Sequence, residues 1–468
     1  MEKSLTSQLP PGIQAIALDL GTTSIKAALL DQHGALAHIE SLPAPTLQLH
    51  DGRGESDALA YAEAADSALA ACRRHTSTPL PLGLCSQRST FLLWERSSGK
   101  PVTPLISWQD NRGEAACVAL REHEGLIQQL TGLRLTPYYL APKLRVLLQQ
   151  HADWKTRLES GEWLAGTLDS FLIWRWSGGQ QHVTDASMAA RTLLMDLATQ
   201  QWSPRLCALF DIPPAALPHI LPSTGLNLAL QNGLTLQASL ADQSAALLAG
   251  IGADSRDALV NLGTGGFVIR YLGANESPRT GYLRTLVYQA GSAPPRFAVE
   301  GTLNSIASAL AAFPVAECGA EDLASNDICC LAEPSGLGAP YFRSDLGVRF
   351  SAPVTGLTPR EQAALLLEGI IFRVCRILED FQLGTGVGNV YLSGGLSELA
   401  CLRQGIAACA PAPVFHLQQH DASLLGAAML AAGQRLDTPA AARVNVPHHA
   451  ERLRLKYRRW NIWLDGLL

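Results

Sequence analysis

The chain has 468 residues, too many for one compact core, and 47% of them are hydrophobic, so two well-filled domains are expected. Its formal charge of −5, from 36 basic and 41 acidic residues, excludes the cationic footprint that a nucleic-acid partner needs. Ten scattered cysteines form no C-x-x-C pair and no Cys/His cluster, which excludes a zinc site and suits small apolar residues in a reducing compartment.

Residues 1–11 lack the apolar core of a secretory signal and read as a disordered leader ending at Pro10-Pro11. Ile16–Leu30, IALDLGTTSIKAALL, then gives two apolar runs around a Gly-Thr-Thr turn, as two sheet strands covered on both faces would. The turn is an anion cradle: Gly21 admits close backbone approach, and the amides and hydroxyls of Thr22 and Thr23 supply donors. A lone carboxylate there would repel phosphate, so Asp19 makes most sense holding a hydrated Mg²⁺. Lys26 either adds positive charge or points into solvent. Val260–Leu272, VNLGTGGFVIRYL, is a second copy, with Gly263 and Thr264 matching Gly21 and Thr22. A duplicated phosphate hairpin resembles the sugar-kinase, actin and heat-shock-ATPase superfamily. That resemblance implies an α/β fold of two actin/ribonuclease H-like domains with a cleft between them, here 12–249 and 250–468, hinged near Leu247–Arg256.

Further along, Ser56–His75 has helical apolar spacing and should cover the first sheet. Leu82–Gly113 carries Gln87-Arg88-Ser89 on a buried strand, followed by Trp108-Gln109-Asp110-Asn111-Arg112. This W-x-D-x-R segment resembles the FGGY carbohydrate kinases, and actins and chaperones lack it. Other segments follow in that family's order: Thr131–His151 with its T-G-x-x-x-x-P-x-x-x-x-x-K-L pattern, the Thr184-Asp185-x-Ser187 turn, Asp242-Gln243 opening an apolar helix, and PSGLGAPYF at Pro334–Phe342. VYLSGGLSE at Val390–Glu398 and a closing helix at Asp421–Ala432 complete the series. Asp185 and Ser187 read as turn formers, Cys329-Cys330 as part of a buried strand, Thr302–Phe313 as a helix of small residues, and Pro359–Phe381 as an amphipathic helix. The basic stretch Glu451–Trp460 reads as a solvated helix face. No apolar run reaches membrane length, so a cytoplasmic enzyme without a membrane partner is expected.

The resemblance implies transfer of a phosphoryl group from ATP, with Mg²⁺, to a hydroxyl of a small sugar or polyol. Asp242 would be the general base, with Gln87, Arg88, Trp108, Tyr138, Asp242 and Gln243 around the acceptor. Gly21, Thr22, Thr23, Lys26, Gly263, Thr264 and Gly265 would hold ATP phosphates, Gly394 and Gly395 would lie against adenine or ribose, and Asp19 would hold the metal through water. Glycerol kinases have Gln-Arg-Glu where this chain has Gln87-Arg88-Ser89, and xylulose kinases have Gln-Met-His. The missing carboxylate points away from glycerol and toward a ketopentose or a four- to five-carbon polyol; glycerol stays the alternative. An actin- or chaperone-like ATPase and a catalytically idle sugar sensor are the readings from other classes. A homodimer is left open.

Overall fold

Apolar strands flanking a glycine turn fold back on themselves, and in the computed structural model each of the two hairpins founds one sheet. The structure describes residues 12–76, 79–252, 256–273, 276–419, 421–434, 440–448 and 450–468. The expected leader at 1–11 and part of the expected hinge, 253–255, lie outside them.

In the first sheet Ile13–Leu20 pairs antiparallel with Ser24–Asp31, which pairs antiparallel with Leu36–Pro43. On its other side Ile13–Leu20 runs parallel to Pro81–Ser86, and that strand runs parallel to Thr235–Ala241. The second sheet repeats the plan. Ala258–Leu262 pairs antiparallel with Gly266–Tyr271, which pairs antiparallel with Arg296–Leu303; its other neighbour is parallel Val390–Ser393, and then parallel Val414–Leu417. Two sheets with one strand order are the α/β duplication expected from the repeated hairpin.

By internal contact the chain forms two units: Met1–Ala249 with Thr285–Arg296 and Asp421–Leu436, and Gly250–Arg284 with Phe297–His420 and Asp437–Leu468. The segments Thr285–Arg296 and Asp421–Leu436, counted with the second domain on sequence, thus group with the first unit. In that unit helix Ala58–Arg73, capped by the Asp57 carboxylate, covers the sheet with Ala62, Ala65 and Ala68 buried. Helix Ala422–Ala431 returns to pack on the sheet as well, and it comes very close: a Cβ on Gly83 would lie 2.1 Å from the Ala427 carbonyl oxygen. Gly426 is matched in turn to the backbone of Ala245. Two glycines let backbone meet backbone where any side chain would hold them apart.

The second unit is built on helix Pro359–Gln382, started by a Thr358/Glu361 capping box and buried along most of its length. Helix Ala450–Asp465 lies against it with Leu453, Tyr457, Trp460 and Leu464 buried, and the Phe372 ring centroid is 5.3 Å from Tyr457 and 5.7 Å from Trp460. The basic stretch is therefore only partly a solvated face. Arg458 and Arg459 are exposed, whereas Lys456 is fully buried in an ion pair with buried Glu368. Lys456→Met should leave that carboxylate uncompensated. We expect a loss of about 3 kcal/mol, seen as a fall of roughly 8 °C in melting temperature. The loss should be greater at pH 8 than at pH 5, because an isolated buried Glu368 resists ionisation while the unfolded chain ionises freely.

One sequence expectation is corrected. Thr302–Phe313 is not a helix: the strand Arg296–Leu303 runs on through Leu303, Ser305 adopts a left-handed conformation, and only Ile306–Leu310 is helical. Sheet pairing to Gly266 and Phe267 overrides the small-residue pattern there. All ten cysteines are free thiols, and Cys329 and Cys330 are buried as expected.

Candidate active site

Strand order in the first unit brings the ends of three strands together: Asp19 near the end of Ile13–Leu20, Gln87 just beyond Pro81–Ser86, and Asp242 just beyond Thr235–Ala241. Ligand sites of open α/β sheets form at such carboxyl ends. Asp242 opens helix Asp242–Ile251, and one carboxylate oxygen accepts the Gln243 amide at 2.7 Å. Its other close neighbour is buried Arg88, whose Nε lies 4.0 Å from Asp242 Oδ1, and the Asp242 side chain keeps 24% of its surface open. Burial raises the Asp242 carboxyl above the ordinary aspartate value, with Arg88, the Gln243 amide and Arg191 opposing that rise. The carboxylate is thus held ionisable, oriented and reachable, as a proton acceptor must be.

The Thr-Asp-x-Ser turn proves to support this residue. Asp185 caps the short helix Ala186–Ala189 through the Ser187 and Met188 amides and accepts the Ser223 hydroxyl at 2.6 Å. The Ser187 hydroxyl in turn accepts the amide of Ala241 at 2.8 Å, one residue before Asp242. Asp185 and Ser187 are turn formers whose turn fixes the end of the Asp242 strand.

Asp19 sits between Lys26 and Cys85 in the sheet register, and its Oδ1 is buried without a hydrogen-bond partner. Burial first, and then the charge of Asp242, push its carboxyl up to about 7. An enclosed, unpartnered carboxylate oxygen beside a second carboxylate is a place a divalent cation would relieve. Among the described residues no three His, Cys, Asp or Glu stand close enough to ligate a metal directly, so these residues suit an ion that keeps its own waters. Lys26 does not reach freely into solvent: its Nζ is 2.6 Å from Asp421, at the start of the returning helix. A phosphate oxygen would have to share the lysine with that carboxylate.

Thr23 is exposed and Gly21 and Thr22 are partly so. Gln87, expected beside the acceptor, is buried, and its Oε1 accepts the hydroxyls of both Thr22 and Thr90. Trp108 and Tyr138 are partly open neighbours, with ring centroids 5.5 Å apart, and Tyr139 continues the aromatic wall at 5.0 Å from Tyr138. Ser89 has φ of 63° and donates its hydroxyl to the Arg191 carbonyl at 2.8 Å.

The second unit's turn is built separately. Gly263 N–H donates to the Gly265 carbonyl at 2.9 Å, and exposed Thr264 offers its carbonyl to the Ala307 amide. Gly394 has φ of 86°, and a Cβ there would lie 2.5 Å from both Asn261 Oδ1 and the Leu262 carbonyl oxygen, so the protein's own neighbouring strand requires this glycine. Gly395 faces open space within 4 Å. The loop Pro334–Phe342 is organised by Glu333, which accepts the Asn304 and Gly338 amides and pairs with fully buried Arg373 at 2.6 Å.

Sequence reasoning missed Tyr61, Thr90, Arg191, Glu333 and Asp421 as parts of this machinery. Tyr61 alone left a signal, as the one aromatic residue on an alanine-lined helix face; its hydroxyl donates to the Gly21 carbonyl at 2.6 Å.

Residues 14–259 match the FGGY family of carbohydrate kinases, N-terminal domain, and residues 258–434 match the C-terminal domain of the same family. The chain belongs to the FGGY family of carbohydrate kinases. It is 32% identical over 445 residues to the glycerol kinase of Acidovorax sp. (strain JS42), covering 89% of each chain. Among solved structures, Plasmodium falciparum glycerol kinase with ADP superposes with a TM-score of 0.85 at 22% identity, covering 97% of this chain and 98% of that one. Gluconate kinase from Lactobacillus acidophilus superposes with a TM-score of 0.82 at 19% identity and the same coverage. These superpositions give the two-domain actin-like ATPase fold. The protein is accordingly a sugar or polyol kinase, a phosphotransferase with an alcohol acceptor and ATP as the donor its family implies. Among the described residues no helix is long and apolar enough to cross a membrane.

Proposed function

We propose that the enzyme phosphorylates a hydroxyl of a ketopentose or a four- to five-carbon polyol in the cytoplasm, with Asp242 as general base. The observation that carries the reading is the placement of Asp242: partly open, beside Arg88, on the same strand ends as the phosphate turn and the unpartnered Asp19 oxygen. The acceptor hydroxyl gives its proton to an Asp242 oxygen as its own oxygen bonds to the γ-phosphorus; the bond from that phosphorus to the β-bridging oxygen breaks, and ADP leaves. Arg88 and Gln243 supply donors to acceptor oxygens, and Trp108 and Tyr138 offer aromatic faces to its C–H surface. In the first unit the backbone amides of Thr22 and Thr23 are offered to phosphate oxygens, the Gly21 N–H being taken by the Ser24 carbonyl. In the second unit the corresponding donors are the amides of Thr264 and Gly265, the Gly263 N–H being taken by the Gly265 carbonyl, and Gly395 leaves room for a nucleoside. Mg²⁺, held through water by Asp19, would neutralise phosphate charge.

The acceptor choice rests on Ser89. The hydroxyl there is committed to the Arg191 carbonyl, so the position offers no carboxylate to a pair of glycerol hydroxyls. Glycerol is the second reading, favoured by the names of the curated relatives. The test is ADP release with Mg-ATP against glycerol, erythritol, pentitols, ketopentoses and ketohexoses. A ketopentose or a C4–C5 polyol should outpace glycerol well beyond tenfold in kcat/KM; fast turnover of glycerol at low concentration reverses the choice, and a flat panel removes the kinase reading.

A further inference from the structure

Trp108 lies in the acceptor wall and Thr22 in the phosphate turn, yet the two are bonded to each other. The Trp108 indole N–H donates to Thr22 Oγ1 at 3.0 Å, and the Thr22 hydroxyl donates to Gln87 Oε1 at 3.1 Å. The Thr90 hydroxyl donates to the same Gln87 oxygen at 3.0 Å, and Thr90 Oγ1 accepts the backbone N–H of Trp108 at 3.1 Å. The chain of bonds leaves Trp108 by its side chain and returns to it through its backbone.

Its direction is forced. Trp108 brings two N–H groups to the ring and no acceptor, so each threonine oxygen accepts an N–H from Trp108 and keeps its own hydroxyl hydrogen to donate. Both send it to Gln87, which fixes the amide with Oε1 toward the threonines and Nε2 toward the Gly21 carbonyl at 3.5 Å and the Tyr61 hydroxyl at 3.4 Å. Thr90 is 2% exposed and Gln87 5%, so water has little access to replace these partners. With its proton committed, the Thr22 hydroxyl has no donor left for phosphate, and that work falls to the backbone amides of the turn.

We propose that Thr90 and Gln87 are positioning residues that tie the acceptor wall to the phosphate turn, so that seating the acceptor on Trp108 and seating phosphate at Gly21–Thr22 favour each other. The proposal rests on the kinase reading above. Neither residue need touch a ligand. A ring in which every member is satisfied gives the wall and the turn one joint arrangement, and a ligand that settles either end selects it.

The test is Thr90→Val, close in shape but unable to accept from Trp108 or donate to Gln87, with Thr90→Ser as the rescue. KM for the best acceptor of the panel is measured by ADP release, and ADP binding without acceptor by titration calorimetry. Thr90→Val should raise the acceptor KM and the ADP Kd together, each by about five- to tenfold, with Thr90→Ser within about twofold of the natural protein. A purely structural threonine predicts a lower melting temperature with both constants unchanged; that result, or a serine variant as impaired as the valine, overturns the proposal. Should Thr90→Val not fold, Trp108→Phe keeps a smaller aromatic face and removes the indole N–H. Its ADP Kd should rise although Trp108 is assigned to the acceptor wall, and an unchanged Kd overturns the coupling. A natural protein that no acceptor stimulates defeats the kinase reading; a stimulated one with unaltered variants defeats only this inference.

Discussion

Asp242→Asn is expected to lower acceptor-dependent ADP release by about a thousandfold while ADP binding changes by no more than about twofold. The amide keeps the size and the place of the carboxylate and loses the capacity to take a proton, so the effect falls on kcat. The acid limb of the pH–rate profile provides an independent check. Burial raises the Asp242 carboxyl above the ordinary aspartate value, and only the ionised form is a base, so activity should rise with pH through a midpoint above that value. Arg88 works against burial. Arg88→Met should therefore move the limb to still higher pH, because the ionised carboxylate loses the cation beside it. A limb that stays in place in Arg88→Met, or an asparagine variant with near-natural kcat, would remove Asp242 from the role of base.

Asp19→Asn should have two effects of opposite sign. Turnover should fall by at least a hundredfold if Asp19 holds the metal waters, and stability should rise near neutral pH. The sign follows from the shift: the Asp19 carboxyl is raised from 3.8 to about 7 in the folded chain. The folded protein thus keeps a proton that the unfolded chain has already released, and stability is lost as pH rises from about 4 through 7. The asparagine variant escapes that loss. Its advantage should be on the order of 2 kcal/mol at pH 8, discounted for the part of Asp19 that solvent reaches, and should vanish near pH 4. Thermal melts at both pH values check this. Equal melting curves at pH 8 would mean that the carboxylate is comfortable as it stands, and would weaken the case for a cation there.

The fold was legible because its main signal is repeated. Leu18–Leu30 and Val260–Leu272 share a glycine turn between apolar strands, and such a hairpin nearly dictates the first two strands of each sheet. Asp19 was singled out by its place beside the first glycine turn, and Asp242 and Trp108 by segments that resemble those of the FGGY family. The partners of these residues were not. Arg191 and Asp421 reach the site from distant points in the chain, and Thr90, only three residues past Gln87, is no better marked, because nothing in a threonine or an arginine announces what it will meet. Gln87 shows the limit best. Its type suits a sugar hydroxyl as well as two threonines, and only the three-dimensional arrangement reveals that its carbonyl oxygen is already taken. The Thr302–Phe313 error has the same origin, since pairing with Gly266 and Phe267 is a long-range fact.

The close seat of helix Ala422–Ala431 against Gly83 carries a consequence for biosynthesis. A ribosome releases the first sheet of this protein long before it makes the helix that covers one of its faces. Throughout translation of the intervening chain, the strands carrying Gly83 and its apolar neighbours must wait with that face bare, exposed to other nascent chains and to chaperones. The first unit to be made is thus finished only after a segment far downstream in the chain has been synthesised.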